Sequence, residues 1–312
     1  LVISCNNRKG DKQMALDYIS NVDIPYQYDF KVSKEPTKFK GESYVVNEYD
    51  GEYLGIVGDN YALTSHGEYF NKVWSVAEET LGRENCLLAE KRWRSARNGA
   101  FVMLDAIFKD GSITITTADD THQTELFKRM VALHGVDGKC SNQVFYGLID
   151  MFCTNGTVTG DHNYLKKKNT ALFNVDIFQG EIADSVVNFE GEAEKIQTWA
   201  SINTRALCVK SVLDYMMGNE KKADKMLALY REETRKRGEN LFALYSAFTN
   251  YATYGDERNG FTVRNTGNDT KAVTMWKREQ EVAKWVDSPV WNDLVNSSFD
   301  SKVTGKWGKA YA

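Results

Sequence analysis

A run of four cations around one tryptophan is the residue cluster with the clearest chemical potential in this sequence. Lys91, Arg92, Trp93, Arg94 and Arg97 lie within seven residues that contain no acid. Side chains alternate along a strand, so on a strand Arg92 and Arg94 share one face and Lys91 and Trp93 share the other. Guanidinium groups bind phosphates and an indole stacks on bases. The cluster therefore predicts an interface for single-stranded DNA.

Two further groups of cations are candidates for the same interface. Lys128 and Arg129 are adjacent in the chain, and Lys166, Lys167 and Lys168 form an uninterrupted triplet. A charge run of this kind is also typical of a solvated surface. Both interpretations stay open for these five residues.

The net charge limits how such an interface can be built. The 312 residues contain 39 Lys+Arg and 43 Asp+Glu, a formal charge of −4, which excludes a chain that is basic throughout. Residues 41–90 contain ten acids and two cations, whereas residues 91–97 contain four cations. We therefore expect an acidic surface beside one local basic strand.

Standard signatures of catalysis and of metal or cofactor binding are missing from the sequence. No phosphate-binding loop, zinc-protease motif or nucleophile elbow occurs, and no two histidines have the helical spacing of metal ligands. We expect no catalytic residue, no metal and no cofactor. A hydrolase that uses His122, His134 and His162 with nearby acids is a further possible function, beside the DNA-binding protein and the interaction protein described below.

Cysteine usage and hydropathy indicate where the protein works. The five cysteines are odd in number and widely spaced, without a C-x-x-C pair, which is typical of a reducing compartment. The sequence contains no apolar run of about 18 residues and no signal peptide at its start. We expect a cytoplasmic protein without a membrane partner.

The elements that position these residues follow from hydrophobic periodicity. Residues 42–63 predict antiparallel strands with a turn at Asp50–Gly51, and Ser65 is the expected cap of a helix that ends at Gly82. Residues 86–108 and 112–117 predict long strands joined by a turn at residues 109–111. Residues 121–135 predict a helix, and residues 143–153 form an apolar run too short to classify.

Beyond about residue 184 the apolar period becomes helical. The sequence therefore predicts an α+β protein, in which an antiparallel sheet with packed helices is followed by a helical C-terminal part. We expect an α+β domain with antiparallel hairpins over residues 1–183. Residues 184–312 are expected to form a mainly helical part, which can pack with the first as one unit.

Several segments together resemble the phage/plasmid-like proteins of the domain-of-unknown-function-932 family. The similarity covers roughly residues 50–285 and runs through YLGIVGDNYALTS, HGVDGKCSN, MFCTNGTVTGDH and LFALYSAFTNYATY. Its most characteristic positions are Asp137, Gly138, Cys153, Asn155 and Gly156. The resemblance implies a phage or plasmid protein encoded among replication and recombination genes.

A second resemblance is at the level of fold. The expected order of hairpin, helix and hairpin is similar to that of phage single-strand annealing proteins, which assemble into rings on DNA. We therefore expect a phage-encoded, non-enzymatic homo-oligomer that binds or anneals single-stranded DNA in the bacterial cytoplasm. The alternative is a structural or interaction protein of a phage, either a virion component or an inhibitor of a host defence protein. Its exposed aromatic residues would then form protein interfaces.

Overall fold

The computed structural model describes residues 22–119, 121–140, 142–150, 155–156, 164–167, 189–255 and 271–296. These residues form two antiparallel sheets and eight helices, and the helices dominate the C-terminal part. The expected α+β class is confirmed.

A small sheet of three antiparallel strands comes first, in the order β1-β2-β3. Its strands are β1 Val32–Pro36, β2 Glu42–Asn47 and β3 Tyr53–Gly58. The strands predicted over residues 42–63 are confirmed, and β1 is an additional strand. A turn over residues 37–41, called the hairpin tip below, joins β1 to β2, and the turn through Asp50 and Gly51 joins β2 to β3.

Helix α1, His66–Leu81, follows the small sheet as predicted. Ser65 caps it in a capping box, because its hydroxyl accepts from the amide of Glu68 and the Glu68 carboxylate accepts from the amide of Ser65. One face of the helix is buried and carries Tyr69, Phe70, Val73, Trp74 and Ala77. This face packs against the large sheet that follows. The short helix α2, Arg83–Leu87, leads into that sheet.

The large sheet is an antiparallel meander in the order β4-β5-β6-β7, and two short strands also pair with β7. A sharp turn joins β4 to β5 through Arg97, Asn98 and Gly99, all with positive φ. The turn predicted at residues 109–111 is wrong, because β5 continues through this stretch with a shift of register. The strands are β4 Glu90–Ala96, β5 Phe101–Thr116, β6 Gln123–Gly135, β7 Asn142–Asp150, β8 Asn155–Gly156 and β9 Tyr164–Lys167.

The helix predicted over residues 121–135 is also wrong, since this segment forms β6. Leu126, Met130 and Leu133 recur at spacings of four and three, which is the helical pattern. The strand is nevertheless central in the sheet, and its residues 129–135 are buried on both faces. An apolar run buried on both faces has no alternation by which to recognise a strand.

The described residues from 189 onward form six helices, in agreement with the predicted change of period. The main core cluster takes side chains from α1, from the large sheet and from these helices. No helix among the described residues has the length and apolar character needed to cross a membrane. The six are α3 Phe189–Ser201, α4 Val209–Met217, α5 Glu220–Arg237, α6 Leu241–Tyr254, α7 Lys271–Val286 and α8 Pro289–Asn296.

Candidate nucleic-acid interface

The predicted basic strand is present as β4, an edge strand of the large sheet. Its side chains alternate as expected. Trp93 packs on Phe70 of α1, with ring centroids 5.0 Å apart, and the Lys91 ammonium lies 4.9 Å from the centroid of the Trp74 ring. The face of β4 that carries Lys91 and Trp93 therefore packs on α1.

Three cations of the cluster bind carboxylates of the protein itself. Lys91 Nζ lies 3.1 Å from an oxygen of Asp23, and Arg92 Nε lies 2.7 Å from an oxygen of Glu90. Arg97 donates two hydrogen bonds to Asp137, whose side chain is only 1% exposed. A phosphate that approached these residues would have to compete with carboxylates already in place.

Arg129 lies in the interior, with a side chain only 4% exposed. Its Nε and one terminal nitrogen donate to the two carboxylate oxygens of Asp105 at 2.7 and 3.0 Å, the bidentate geometry typical of strong arginine pairs. The same terminal nitrogen donates to Glu279 of α7 at 3.2 Å. Burial raises the pKa of the Glu279 carboxyl, and Arg129 opposes that shift. Arg129 therefore joins the large sheet to α7.

The other predicted cations are not brought together by the fold as described. Arg94 is half-buried on the same face of β4 as Arg92, and Lys128 is half-buried on β6. Lys166 and Lys167 belong to β9, which pairs with the start of β7. Lys168 lies outside the described residues.

Two positions of the family resemblance, Asp137 and Gly138, fasten the β6–β7 turn to the small sheet. A side chain at Gly55 of β3 would begin 2.7 Å from the Asp137 Cβ, so only a glycine admits this contact. Gly138 has a φ of +73° and packs beside Val57. Two segments of the resemblance, YLGIVGDNYALTS and HGVDGKCSN, therefore meet in space at Gly55 and Asp137. Arg97 ties the β4–β5 turn to Asp137.

Two other positions of the resemblance, Asn155 and Gly156, lie at the far edge of the large sheet. Asn155 and Gly156 form β8 and pair with Asp150 and Ile149 of β7. Cys153 lies outside the described residues. The fold therefore does not bring Asn155 and Gly156 to β4.

The hairpin tip is a basic and aromatic feature that sequence reasoning missed. Phe39 is 61% exposed between the exposed residues Lys38 and Lys40, and the Lys38 ammonium lies 5.2 Å from its ring centroid. The Thr37 hydroxyl accepts from the amide of Phe39 at 3.0 Å and holds the turn. Within the described ranges, neither of these two lysines forms an ion pair with a carboxylate. The sequence signal that could have revealed the tip is Phe39 between two lysines, followed directly by Gly41.

Lys34 stiffens the strand that leads to this tip. Its ammonium donates to the backbone carbonyls of Tyr61 at 2.7 Å and Asp59 at 3.1 Å. The amide of Asp59 in turn donates to the carbonyl of Gly41 at 3.2 Å. The hairpin is therefore held against the end of β3 while its apex stays exposed.

Two of the histidines form a buried pair between α1 and β6. His66 Nε2 lies 2.8 Å from the Gly99 carbonyl, which can only accept, so this nitrogen carries the hydrogen. Nδ1 of neutral His66 is then an acceptor, which makes His134 Nδ1 the donor across their 2.8 Å contact. Burial lowers the pKa of His66 to about 4 and lowers that of His134 as well. Both rings are therefore neutral at pH 7.

His122 lies in a polar cleft of about 380 Å³ between the β5–β6 turn and the ends of α3 and α5. The Thr121 hydroxyl is 2.7 Å from both Asp119 Oδ1 and His122 Nδ1. Its single hydrogen goes to the carboxylate, so His122 Nδ1 is the donor to Thr121. Hydrogen bonds from Thr117 and Thr121 lower the pKa of Asp119 to about 2.

The hydrolase hypothesis rests on His122 within the described part of the chain, because His134 is buried and His162 lies outside it. In the same part, no three His, Cys, Asp or Glu side chains are grouped to hold a metal ion. The hypothesis stays a prediction.

No protein-family model, no curated protein and no solved structure matches this chain. The resemblance to the domain-of-unknown-function-932 family therefore stays a prediction.

Proposed function

We propose that the protein binds single-stranded nucleic acid at the hairpin tip, without catalytic chemistry. The observation that carries the proposal is the exposed Phe39 ring between Lys38 and Lys40. An exposed aromatic offers a stacking platform to any base, and two lysines beside it supply the charge that phosphates need. This proposal keeps the function expected from the sequence and moves its principal contacts from β4 to the β1–β2 hairpin.

The environment of each group of cations supports this change of place. On β4, Lys91 and Arg92 each bind a carboxylate, so a phosphate there would have to share the cation with that carboxylate. At the tip, the Lys38 ammonium lies over the ring that is to receive a base, and no described carboxylate forms an ion pair with it. Stacking is worth about 1–3 kcal/mol per base in single-strand complexes, so one exposed ring contributes measurably.

Binding of a fluorescently labelled oligothymidylate across a salt series tests the proposal. Phe39→Ala is expected to weaken binding by about fivefold to a hundredfold, the equivalent of one lost stacking contact. Lys38→Ala with Lys40→Ala is expected to weaken binding and to flatten the dependence of affinity on salt, because fewer counterions are released. No binding by the unaltered protein at low salt would overturn the proposal.

Two control variants separate the tip from general effects of charge and aromatic surface. Tyr49→Ala removes an exposed aromatic at the opposite end of the small sheet, and Lys221→Ala with Lys284→Ala removes two exposed cations from α5 and α7. Both are expected to bind as the unaltered protein does. If they weaken binding as much as Phe39→Ala, the hairpin tip is not the interface.

Phage origin, a bacterial cytoplasmic location, annealing and homo-oligomerisation belong to the same proposal and rest on the resemblances alone. Mass measurement in solution with and without the oligonucleotide tests the oligomer. A single monomeric mass under both conditions would remove ring assembly while leaving single-strand binding in place.

A further inference from the structure

A groove of about 700 Å³ lies at the end of the small sheet opposite the hairpin tip. Tyr26 and Tyr49 line it and expose 90% and 91% of their surface. Phe30 also lines the groove, and its ring lies 5.5 Å from that of the buried His66. Exposed aromatic side chains grouped around a groove are typical of an interaction surface.

Both tyrosines stand on turns that are held in place by hydrogen bonds from backbone amides. The Asn47 side chain accepts from the amide of Tyr49 at 2.9 Å, and the amide of Glu48 donates to the carbonyl of Lys31 at 3.0 Å. On the other side, the amide of Asp29 donates to the carbonyl of Tyr26 at 3.3 Å. The turns that present these rings are already ordered, so little backbone entropy is lost when a partner binds.

The groove is acidic. Its lining residues include three acids, Asp29, Glu48 and Asp50, and one cation, Lys31. The Asp29 carboxylate lies at the first turn of α1, 2.5 Å from where a side chain at Gly67 would begin. A negative charge at the start of a helix is favoured, so Asp29 stabilises α1. Glu48 and Asp50 flank Tyr49 and are exposed, and one carboxylate oxygen of Asp50 accepts from the amide of Glu52 at 2.9 Å.

We propose that this groove binds an arginine-containing basic segment of a partner protein. A guanidinium stacks on tyrosine rings and presents paired donors to carboxylates, so Tyr26, Tyr49, Glu48 and Asp50 supply both parts of its recognition. The negative charge of the groove repels nucleic acid, so the occupant differs from that of the hairpin tip. This surface also gives support to the alternative expectation of an interaction protein.

Calorimetric titration with the peptide acetyl-Gly-Arg-Gly-Arg-Gly-amide at low salt tests the proposal. The same peptide with lysine in place of arginine is expected to bind several-fold more weakly, because an ammonium lacks the planar fork. The version with glutamate is expected not to bind. Failure of the arginine peptide to bind the full chain would overturn the proposal, and it would leave the oligonucleotide result untouched.

Variants locate the peptide on the protein. Tyr49→Ala is expected to weaken arginine-peptide binding by about tenfold, and Tyr49→Phe is expected to retain it, because the ring face is what matters. Glu48→Gln with Asp50→Asn is expected to weaken binding and to reduce its dependence on salt. A matched removal of two exposed acids elsewhere, Glu194→Gln with Glu232→Gln, is expected to have no effect. Equal losses in both double variants would overturn the assignment to the groove.

A second copy of the chain is the competing occupant, since its own hairpin tip is basic and aromatic. Light scattering over a range of protein concentrations distinguishes the two. A mass that rises with concentration and falls back in Tyr49→Ala would assign the groove to another copy and overturn the proposal. A mass that Tyr49→Ala leaves unchanged, together with arginine-peptide binding, would support it.

Discussion

The cations of the large sheet and the lysines of the hairpin tip are chemically similar groups in opposite environments. Arg97 and Arg129 donate to carboxylates that are almost completely buried. Lys38 and Lys40 are exposed, and the described residues offer them no carboxylate partner. The density of positive charge along a sequence therefore does not identify a phosphate-binding surface, because the position of the nearest acids decides whether a cation is available.

This difference predicts that substitutions in the two regions act on different properties. Substitution of a cation of the large sheet should change the free energy of unfolding. Substitution of a lysine of the hairpin tip should change the affinity for an oligonucleotide.

The largest expected effect is that of Arg129→Ala. It leaves Asp105 and Glu279 buried without their shared counter-charge, and loss of one partner from a buried ion pair costs about 3–5 kcal/mol. Urea denaturation followed by circular dichroism measures this loss. Arg235→Ala removes an exposed arginine from the end of α5 and serves as the control.

Replacement of the whole buried cluster sharpens the same test. In Arg129→Met, Asp105→Leu and Glu279→Leu together, no unpaired charge remains, so much of the lost stability is expected to return. A loss below about 1 kcal/mol in Arg129→Ala alone would contradict the structural role of this arginine.

The next effect concerns the buried histidines, which, unlike Arg129, have no counter-charge beside them among the described residues. His66 has a pKa of about 4 in the folded protein and about 6.5 when unfolded, so the unfolded chain takes up its proton first as the pH falls. Stability is complete above pH 6.5 and decreases as the pH drops towards 4. Between pH 7.5 and pH 5, His66 alone is expected to cost about 2 kcal/mol.

Urea denaturation at these two pH values measures the loss. His66→Gln is expected to show a smaller decrease between them, because glutamine takes up no proton, whereas His122→Gln is expected to behave as the unaltered protein does. An equal decrease in all three proteins would show that other groups cause the dependence on pH.

Much of the fold could be predicted from local sequence signals, whereas which of the predicted cations are bound to buried carboxylates could not. The capping box at Ser65, the Asp50–Gly51 turn and the helical period after residue 184 each act within a few residues, so a local pattern reveals them. The contacts of Arg129 with Asp105 and Glu279 join residues 24 and 150 positions apart. Strand register and helix packing create such contacts, and neither has a local signature.

The hairpin tip should give the smallest change in stability and the clearest change in binding. Lys38 and Lys40 are exposed and lack a carboxylate partner among the described residues, so replacing both with alanine should change the free energy of unfolding by less than about 0.5 kcal/mol. The same double variant should lower the slope of log affinity against log salt for an oligonucleotide by about 1.4, since each phosphate contact on a single strand contributes about 0.7. A stability loss above about 1 kcal/mol with an unchanged salt slope would reverse the comparison, because these lysines would then hold the fold together as Arg129 is expected to do.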